Sequence, residues 1–367
     1  MADPDPRAAR PRARRRRAAD DDRGSRVTLQ DVADRAGVSL TTASRVVNEG
    51  ARKVGPAMAA RVARAAAELG YQANLPARAV ASGYTSMIGI TVRDIDDPYF
   101  SSIAAGLIEA TDAHEFLVCM SRTSGEREER EYVALMRAQR ARAVVLVGSR
   151  SENAAAREAL GAEVDAFVAA GGRVACIGQD LLGVDTIMPE NAGGATALAH
   201  ALVALGHRRF AVLAGPRDLL TARDRVAGFR EGLRTWSVDL DPRWVIDGAF
   251  TRDGGYEAMS AVLAAGADRP DCVFAVNDVM AVGALARLRA EGVAVPADIA
   301  VAGFDDIPTL RDVYPPLTTV RLPLKRMGEM AASLVLGETR PARARIVPVA
   351  GEVIVRESTR PRRGANI

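Results

Sequence analysis

The apolar positions of the chain follow two regimes. Before residue 72 they recur at helical spacing in three short stretches. After residue 87 strand-like apolar runs alternate with helical ones. In the first stretch Leu29, Val32, Ala33 and Ala36 fall at i, i+3, i+4 and i+7, one face of a helix. Thr28 is placed to cap that helix, with Asp31 three residues on, close to a capping box. Gly37 breaks the pattern, Val38 plugs the corner, and Ser39 is a good N-cap for a second helix. On this second helix Ala43, Val46 and Val47 share one face. Thr41, Ser44, Arg45 and Asn48 share the opposite one, since positions two apart lie about 200° apart. A third helix fits 57–69, with Pro56 in its first turn and Met58, Val62, Ala65, Ala66 and Leu69 as its apolar stripe.

Two short helices joined by a tight turn, the second with hydroxyls, a guanidinium and an amide on its outer face, suit base edges and phosphates. A helix-turn-helix puts the N-terminal part of its second helix in the major groove, which makes Leu40, Thr41 and Arg45 the candidate readers. Leu40 can only touch a thymine methyl; Arg45 can take guanine or a phosphate. Ser39, Ser44 and Asn48 suit phosphate contacts, and Thr28 joins the DNA-facing set at the start of the first helix. The same pattern fits a helical hairpin with a solvated polar face. Segment 74–83 (NLPARAVASG) has a capping Asn74, Pro76 in a first turn and three alanines. A helix shorter than ~12–15 residues is marginal in water, so it forms only when packed; a plain linker also fits its composition.

Strand runs fit 88–92, 116–121, 143–148 and 173–178, then 209–214, 244–247, 272–277 and 299–304. Helices fit 99–112, 126–139 and 155–170, then 192–205, 221–235, 253–265 and 278–291. Alternation at this spacing predicts parallel sheets covered on both faces, in two similar lobes, with ligands outside the carboxyl ends of the strands.

Composition narrows the function. With 48% hydrophobic and 26% charged residues the chain reads as soluble and globular. It has no apolar run near the ~18 residues of a membrane span, and its start, MADPDPRAAR, has no apolar signal core, so a cytoplasmic protein is expected. Residues 1–83 carry 16 Arg or Lys against 9 Asp or Glu although the net charge is only +3, so a basic N-terminal part precedes an acidic body. That asymmetry suits a DNA-binding module on a ligand-binding one. The Arg-rich stretch 1–25 reads as a disordered tail, and 360–367 as another. Cys119, Cys176 and Cys272 sit in apolar runs and read as reduced, buried thiols. His114, His200 and His207 have no ligand spacing. No metal or cofactor is expected. Without a phosphate loop, nucleophile elbow or metal-spaced cluster, an enzyme is not expected either.

The segments VTLQDVADRAGVS, TTASRVVN, ELGYQANLPARAVASG and SMIGITV, then DDPYF (96–100), LGHRRFAVLAGP (205–216), ARDRVAGF (222–229), VNDVMAVGAL (276–285), VAGFDD (301–306) and YPPLTTVRLP (314–323), carry a resemblance. Over about 26–359 the chain resembles the lactose-repressor (LacI) family of bacterial transcription regulators. The resemblance implies an α/β chain: a three-helix helix-turn-helix domain (26–72), a hinge helix or linker (73–86), and a two-lobed, periplasmic-binding-protein-like body of doubly wound parallel sheets (87–359). Lobe 1 would span about 87–185 and 318–337, and lobe 2 about 186–307 and 338–359, with helix 324–336 in the first and strand 346–357 in the second. It implies Asn74, Arg78 and Val80 as hinge contacts to DNA, Val80 being a smaller minor-groove wedge than the usual Leu. It carries effector roles onto Tyr99, Phe100, Thr221, Arg225, Phe250, Asn277 and Asp305. Asp278, by contrast, reads as a helix N-cap, and Gln179 or Asp180 stands in where the family often has a polar residue at the position of Gly178.

The resulting expectation is a homodimeric repressor on pseudo-palindromic double-stranded operator DNA, its affinity set by a small sugar-like or purine-like effector between two lobes. A solute-binding protein of a transport system shares the bilobed fold, and a purine-type corepressor-responsive regulator shares the whole architecture.

Overall fold

The computed structural model describes residues 27–49, 54–71, 83–112, 116–337 and 343–361, apart from the side chains at 48, 49 and 267. Asn74, Arg78 and Val80, and nearly all of both expected tails, lie outside the described residues. The chain divides into two compact units, Met1–Ala81 and Ser82–Ile367.

In the first unit, α1 (Leu29–Ala36), α2 (Leu40–Glu49) and α3 (Pro56–Leu69) close a small core of Val32, Ala33, Ala36, Ala43, Val62 and Ala65. The expected capping box is present: Asp31 N–H donates to Thr28 Oγ1 (3.3 Å) and Thr28 N–H to Asp31 Oδ2 (2.7 Å). Gly37 ends α1 in the left-handed region (φ 62°), where a side chain is strained. The orphan carbonyls there are taken by α3. Arg61 donates to Ala36 O through Nε (3.2 Å) and Nη2 (2.5 Å), and to Gly37 O (3.1 Å). Ser39 Oγ accepts from Thr42 N–H (3.1 Å), which starts α2 as its sequence predicts.

The second unit holds two lobes. Lobe 1 is a parallel six-stranded sheet. Its strands are β1 (Met87–Val92), β2 (Leu117–Arg122), β3 (Ala143–Val147), β4 (Arg173–Ile177), β5 (Asp185–Pro189) and β11 (Ile346–Val349), in the order β11-β5-β4-β3-β1-β2. Helices α4 (Pro98–Asp112), α5 (Glu126–Ala138), α6 (Ala154–Ala169) and α11 (Leu324–Leu336) belong with it. Lobe 2 is a parallel sheet of β6 (Phe210–Gly215), β7 (Val245–Asp247), β8 (Cys272–Ala275) and β9 (Ala300–Ala302), in the order β7-β6-β8-β9. Its helices are α7 (Asn191–Ala204), α8 (Leu220–Arg234), α9 (Arg252–Leu263) and α10 (Asp278–Ala290). A ribbon of β10 (Thr319–Arg321) and β12 (Glu352–Ile354) flanks it, joined by parallel bridges Ala302↔Thr318 and Asp305↔Arg321. The interior strands β1, β3, β6 and β8 are buried along nearly their whole length, as strands covered on both faces must be.

Three expected boundaries move. Thr319–Arg321, expected in lobe 1, is the β10 strand of the ribbon beside lobe 2, so the return to lobe 1 falls after Arg321. Residues 186–189 and 346–349 were assigned to lobe 2, but both are strands of lobe 1. β11 runs parallel to β5 in the register Ile346↔Thr186 to Val349↔Pro189. Its start is fixed by Arg345, whose N–H donates to Asp185 Oδ1 (2.8 Å) and whose Nη2 meets Asp185 Oδ2 (2.5 Å). The chain therefore crosses between lobes after Pro189 and again after Val349, and only Glu352–Ile354 turns to the second lobe's ribbon.

Helices α4 and α11 meet backbone to backbone. A Cβ at Gly106 would lie 1.9 Å from Lys325 O, and one at Gly328 would lie 2.0 Å from Ile103 O. Gly106→Ala is expected to lower unfolding stability by about 1–3 kcal/mol through overpacking. Gly161→Ala in α6 meets nothing within 4 Å and should be neutral or stabilising by about 0.5–1 kcal/mol. Urea melts of the two variants check this; equal stabilities would refute the close approach.

Candidate functional site

The first unit presents one polar helix face. Ala43 is fully buried while Leu40 is 46% exposed, and Ser39, Thr41 and Arg45 are exposed beside it. Ser44 is half-buried and held by an interaction of its own. Thr28 is exposed but its hydroxyl is engaged with Asp31, so its part at a DNA surface is bounded by the capping box.

The second unit holds a cavity of about 40 Å³ between its lobes. Lobe 1 contributes Arg93 after β1, Asp97, Tyr99 and Phe100 at the start of α4, and Gly148 and Ser149 after β3; lobe 2 contributes Leu219, Thr221 and Arg225 of α8 or its approach, Phe250 after β7, and Asp305 after β9. All follow carboxyl ends of strands, where parallel sheets place ligands. Six of the seven expected effector residues are thus brought together: Tyr99, Phe100, Thr221, Arg225, Phe250 and Asp305. Asn277 is not among the lining residues. It is 2% exposed and its Oδ1 caps α10 by accepting Met280 N–H (3.0 Å), while its buried Nδ2 has no hydrogen-bond partner among the described residues. Asp278, expected as that cap, instead lies one residue inside the helix. It accepts from Thr319 Oγ1 (2.7 Å) and Ile307 N–H (3.0 Å), tying α10 to the β9–β10 connection.

Arg225 is the anchor. It is 2% exposed, stacks its guanidinium 3.9 Å from the Phe304 ring centroid, and spends its donors on four acceptors. Nη2 donates to Asp305 Oδ1 (2.8 Å), Nη1 to Asp305 Oδ2 (3.3 Å) and Val276 O (2.7 Å), and Nε to Asn191 Oδ1 (2.9 Å). This bidentate geometry is specific to arginine. Asp305 reaches it from a strained turn, with positive φ at both Asp305 (117°) and Asp306 (54°). Burial raises the Asp305 pKa against the opposing pull of Arg225, to about 6.

The lobes are stitched together at the rim. Leu220 N–H donates to Arg150 O (3.1 Å) and Glu152 N–H to Asp218 O (3.1 Å), around an antiparallel bridge Ser151↔Leu219. Thr221 N–H donates to Ser149 Oγ (3.0 Å), and Gln179 Nε2 to Thr221 Oγ1 (2.9 Å), while Gln179 Oε1 accepts Arg150 N–H (2.9 Å). Arg223 and Glu152 form an ion pair across the same gap. Arg150 is held from behind by a buried bidentate pair with Glu129. Burial opposes the Arg150 charge, but Glu129 outweighs it and raises its pKa above the usual guanidinium value. In this arrangement the cavity is far below the ~300 Å³ and more of a small-molecule site, so admitting a ring-sized ligand requires the rim to part.

Sequence reasoning did not single out Arg93, Asp97, Gly148, Ser149 or Leu219 in the lining, nor Asn191 beneath it as a partner of Arg225. Only Asp97 carried a signal: in Asp97-Pro98-Tyr99 its carboxylate accepts Tyr99 N–H (2.9 Å) as an ordinary turn-forming Asp does. Burial pushes its pKa up to about 7, with the Tyr99 N–H opposing and Asp305 and Asp94 adding to the rise.

Residues 28–74 match the family described as bacterial regulatory proteins, lacI family, and residues 199–359 match a periplasmic binding protein-like domain. The chain is 30% identical over 346 residues to the HTH-type transcriptional regulator DegA of Bacillus subtilis, covering 92% of this chain and 99% of that one. It belongs to the LacI family. It is 33% identical over 327 residues to the regulator CelR of Thermobifida fusca, covering 87% of this chain and 94% of that one. Among solved structures, the lac repressor dimer bound to operator and an anti-inducer matches with a TM-score of 0.75 at 28% identity, over 91% of this chain and 99% of that chain. A CelR–cellobiose complex matches with a TM-score of 0.65 at 30% identity, over 91% of this chain and all of that one. As a LacI-family member the chain is a helix-turn-helix transcriptional regulator with an α/β body of parallel sheets.

The rim bonds are testable as a pair. Thr221→Val and Gln179→Leu should each shift the lobes toward an open arrangement, by about 1 kcal/mol or a factor of about five. The double variant should do little more than either alone. Radii of gyration from solution scattering report this; strict additivity would sever the two side chains.

Asp97 gives a pH test. A native pKa near 7 against about 3.9 unfolded means that the native state binds the extra proton between those values. Its contribution to stability is therefore full at low pH and is lost as pH rises toward 7. Asp97→Asn keeps the turn acceptor and removes the titration, so its melting temperature relative to wild type should rise between pH 5 and pH 8. A flat difference across that range would show that Asp97 is ionised throughout.

Proposed function

We propose that the protein is a homodimeric repressor that reads a pseudo-palindromic operator with two copies of α2, and whose operator affinity is set by a sugar-like effector held between the lobes. The observation that carries this reading is the division of α2: Ala43 is fully buried while Leu40, Thr41 and Arg45 stand exposed at the N-terminal half of the helix. A recognition helix presents that half to the groove. Arg45 takes guanine or a phosphate, Thr41 takes either base or backbone, and Leu40 restricts its neighbour to a methyl-bearing base.

The relatives support the partners. One structural neighbour is a repressor dimer on operator, and another carries cellobiose. Dimerisation is also supported by β2, the open edge of the six-stranded sheet, where Leu117 is 61% and Met120 37% exposed. An apolar sheet edge of this kind is a ready surface for a second copy. The effector reading rests on three rings, Tyr99, Phe100 and Phe250, set against the Arg225–Asp305 pair. Rings and fixed polar groups of this kind hold a hydroxylated ring. The protein acts by binding, not turnover, and does so in the cytoplasm, on DNA.

Arg45→Ala should weaken binding to an operator selected from random DNA by about tenfold or more, while the ligand-dependent thermal shift of the body stays as in wild type. Unchanged affinity for the selected DNA would exclude α2 as the reading helix.

A further inference from the structure

The charges lining the cleft are matched, with two exceptions. Arg225 is paired with Asp305, and Arg150 behind the rim is paired with Glu129. Glu126 accepts Ser151 N–H. Arg93 differs. Its guanidinium lines the cavity at the end of β1, yet its partners are carbonyl oxygens alone: Nη1 donates to Ser124 O (2.9 Å) and Nη2 to Ser149 O (3.3 Å). Among the described residues no carboxylate lies within ion-pair distance of it. Glu129, Glu126 and Asp218 act on it only at longer range, and burial lowers its pKa from the usual guanidinium value, with Glu129 opposing and Arg150 adding. The second exception is Asp97, which lines the same cavity and, among the described residues, forms no ion pair with Arg93 or any other cation.

A half-buried guanidinium with no counter-charge is held at a cost that an incoming anion removes. Its donors are a planar fork, the geometry that carboxylate and phosphate oxygens accept bidentately. The remaining lining groups ask for a different chemistry. Asp97 and Asp305 accept from hydroxyls, and Tyr99, Phe100 and Phe250 offer ring faces to the carbon skeleton. We propose that the effector is a polyhydroxylated acid, a sugar bearing a carboxylate or phosphate, with Arg93 as the residue that takes its oxyanion and so selects it over neutral sugars and nucleobases. The near-neutral pKa of Asp97, which lets that carboxyl give up its charge, removes a repulsion that an anionic ligand would otherwise meet.

This inference rests on the cleft being the effector site, and its test separates the two. Thermal shift and calorimetry on the full chain use matched probes: D-gluconate and D-glucose 6-phosphate against D-glucose, D-galacturonate against D-galactose, and hypoxanthine. At least one acid should bind more tightly than its neutral counterpart by about tenfold or more, and the acid that binds identifies carboxylate or phosphate as the oxyanion. Arg93→Gln should erase that difference by weakening the acid alone, and Arg93→Lys should keep part of it. Circular dichroism melts confirm that both variants fold; if Arg93→Gln does not, the wild-type preference and Arg93→Lys still decide. A neutral sugar or hypoxanthine that binds at least as tightly as every acid, unchanged by Arg93→Gln, overturns the anionic assignment and leaves the cleft reading standing. A panel in which nothing binds overturns both.

Discussion

The buried Arg225–Asp305 pair is the interaction on which the ligand-binding body is organised. One guanidinium joins four separate pieces of chain: α8 that carries it, Asn191 at the start of α7, the carbonyl of Val276 after β8, and the Asp305 turn after β9. Two of those pieces follow strands β8 and β9 of lobe 2, and Asn191 stands just past the crossing from lobe 1. Apolar packing around them is non-directional, and the hydrogen-bond geometry of Arg225 adds a directional constraint on their mutual position. The arrangement also explains why Asp305 and Asp306 tolerate positive φ. Asp305 sits where the bidentate bond needs it, and Asp306 pairs with Arg321 and Arg356 of the flanking segments. Truncating Arg225 would strand a buried carboxylate, a loss of several kcal/mol that mixes stability with ligand binding.

The rim adds a second constraint of a different kind. Backbone bonds between 150–152 and 218–220, with Gln179 and Thr221 beside them, are made wholly by the protein. Each is worth little alone, about 0.5–1.5 kcal/mol, and most lie at a partly exposed surface. Their strength lies in being parallel: all report the same coordinate, the separation of the lobes. Arg150 shows how that coordinate is anchored. Its backbone makes the rim bonds while its side chain is locked behind them by Glu129, so the rim strand of lobe 1 cannot shift without disturbing a buried ion pair.

Much of this was legible in the sequence, for identifiable reasons. Elements with strong periodicity and caps fell within a residue or two of their predicted bounds: α1 with its Thr28–Asp31 box, and β1, β3 and β8 as continuous apolar runs. β5 escaped notice because Asp185–Pro189 holds too short an apolar run to read as a strand; β11 was expected as a strand but in the wrong lobe, because its pairing with β5 spans about 160 positions of sequence. Among site residues, Arg225 stood out because an arginine amid helix-core positions demands a partner. Its partners Asn191 and Asp305 were separated by long intervals that no local pattern spans. Asn277 and Asp278 exchanged roles for the same reason. The cap is decided locally, whereas the burial of Asp278 is decided by Thr319 and Ile307, which arrive from elsewhere.

The two constraints together limit how an effector can act. A ligand moves a two-state equilibrium only by its differential affinity for the two states. The rim bonds already favour the closed arrangement, so contacts that a ligand makes equally to both arrangements, such as those to a single lobe, change nothing. The groups able to discriminate are those whose separation changes with the rim. Arg93, Asp97, Tyr99 and Phe100 stand on one lobe, and Arg225, Phe250 and Asp305 on the other. A ligand that spans both sets at the closed spacing reinforces the latch; one too large for it works against every rim bond at once. Which arrangement a ligand favours therefore depends on its dimensions against the spacing of these two sets of groups.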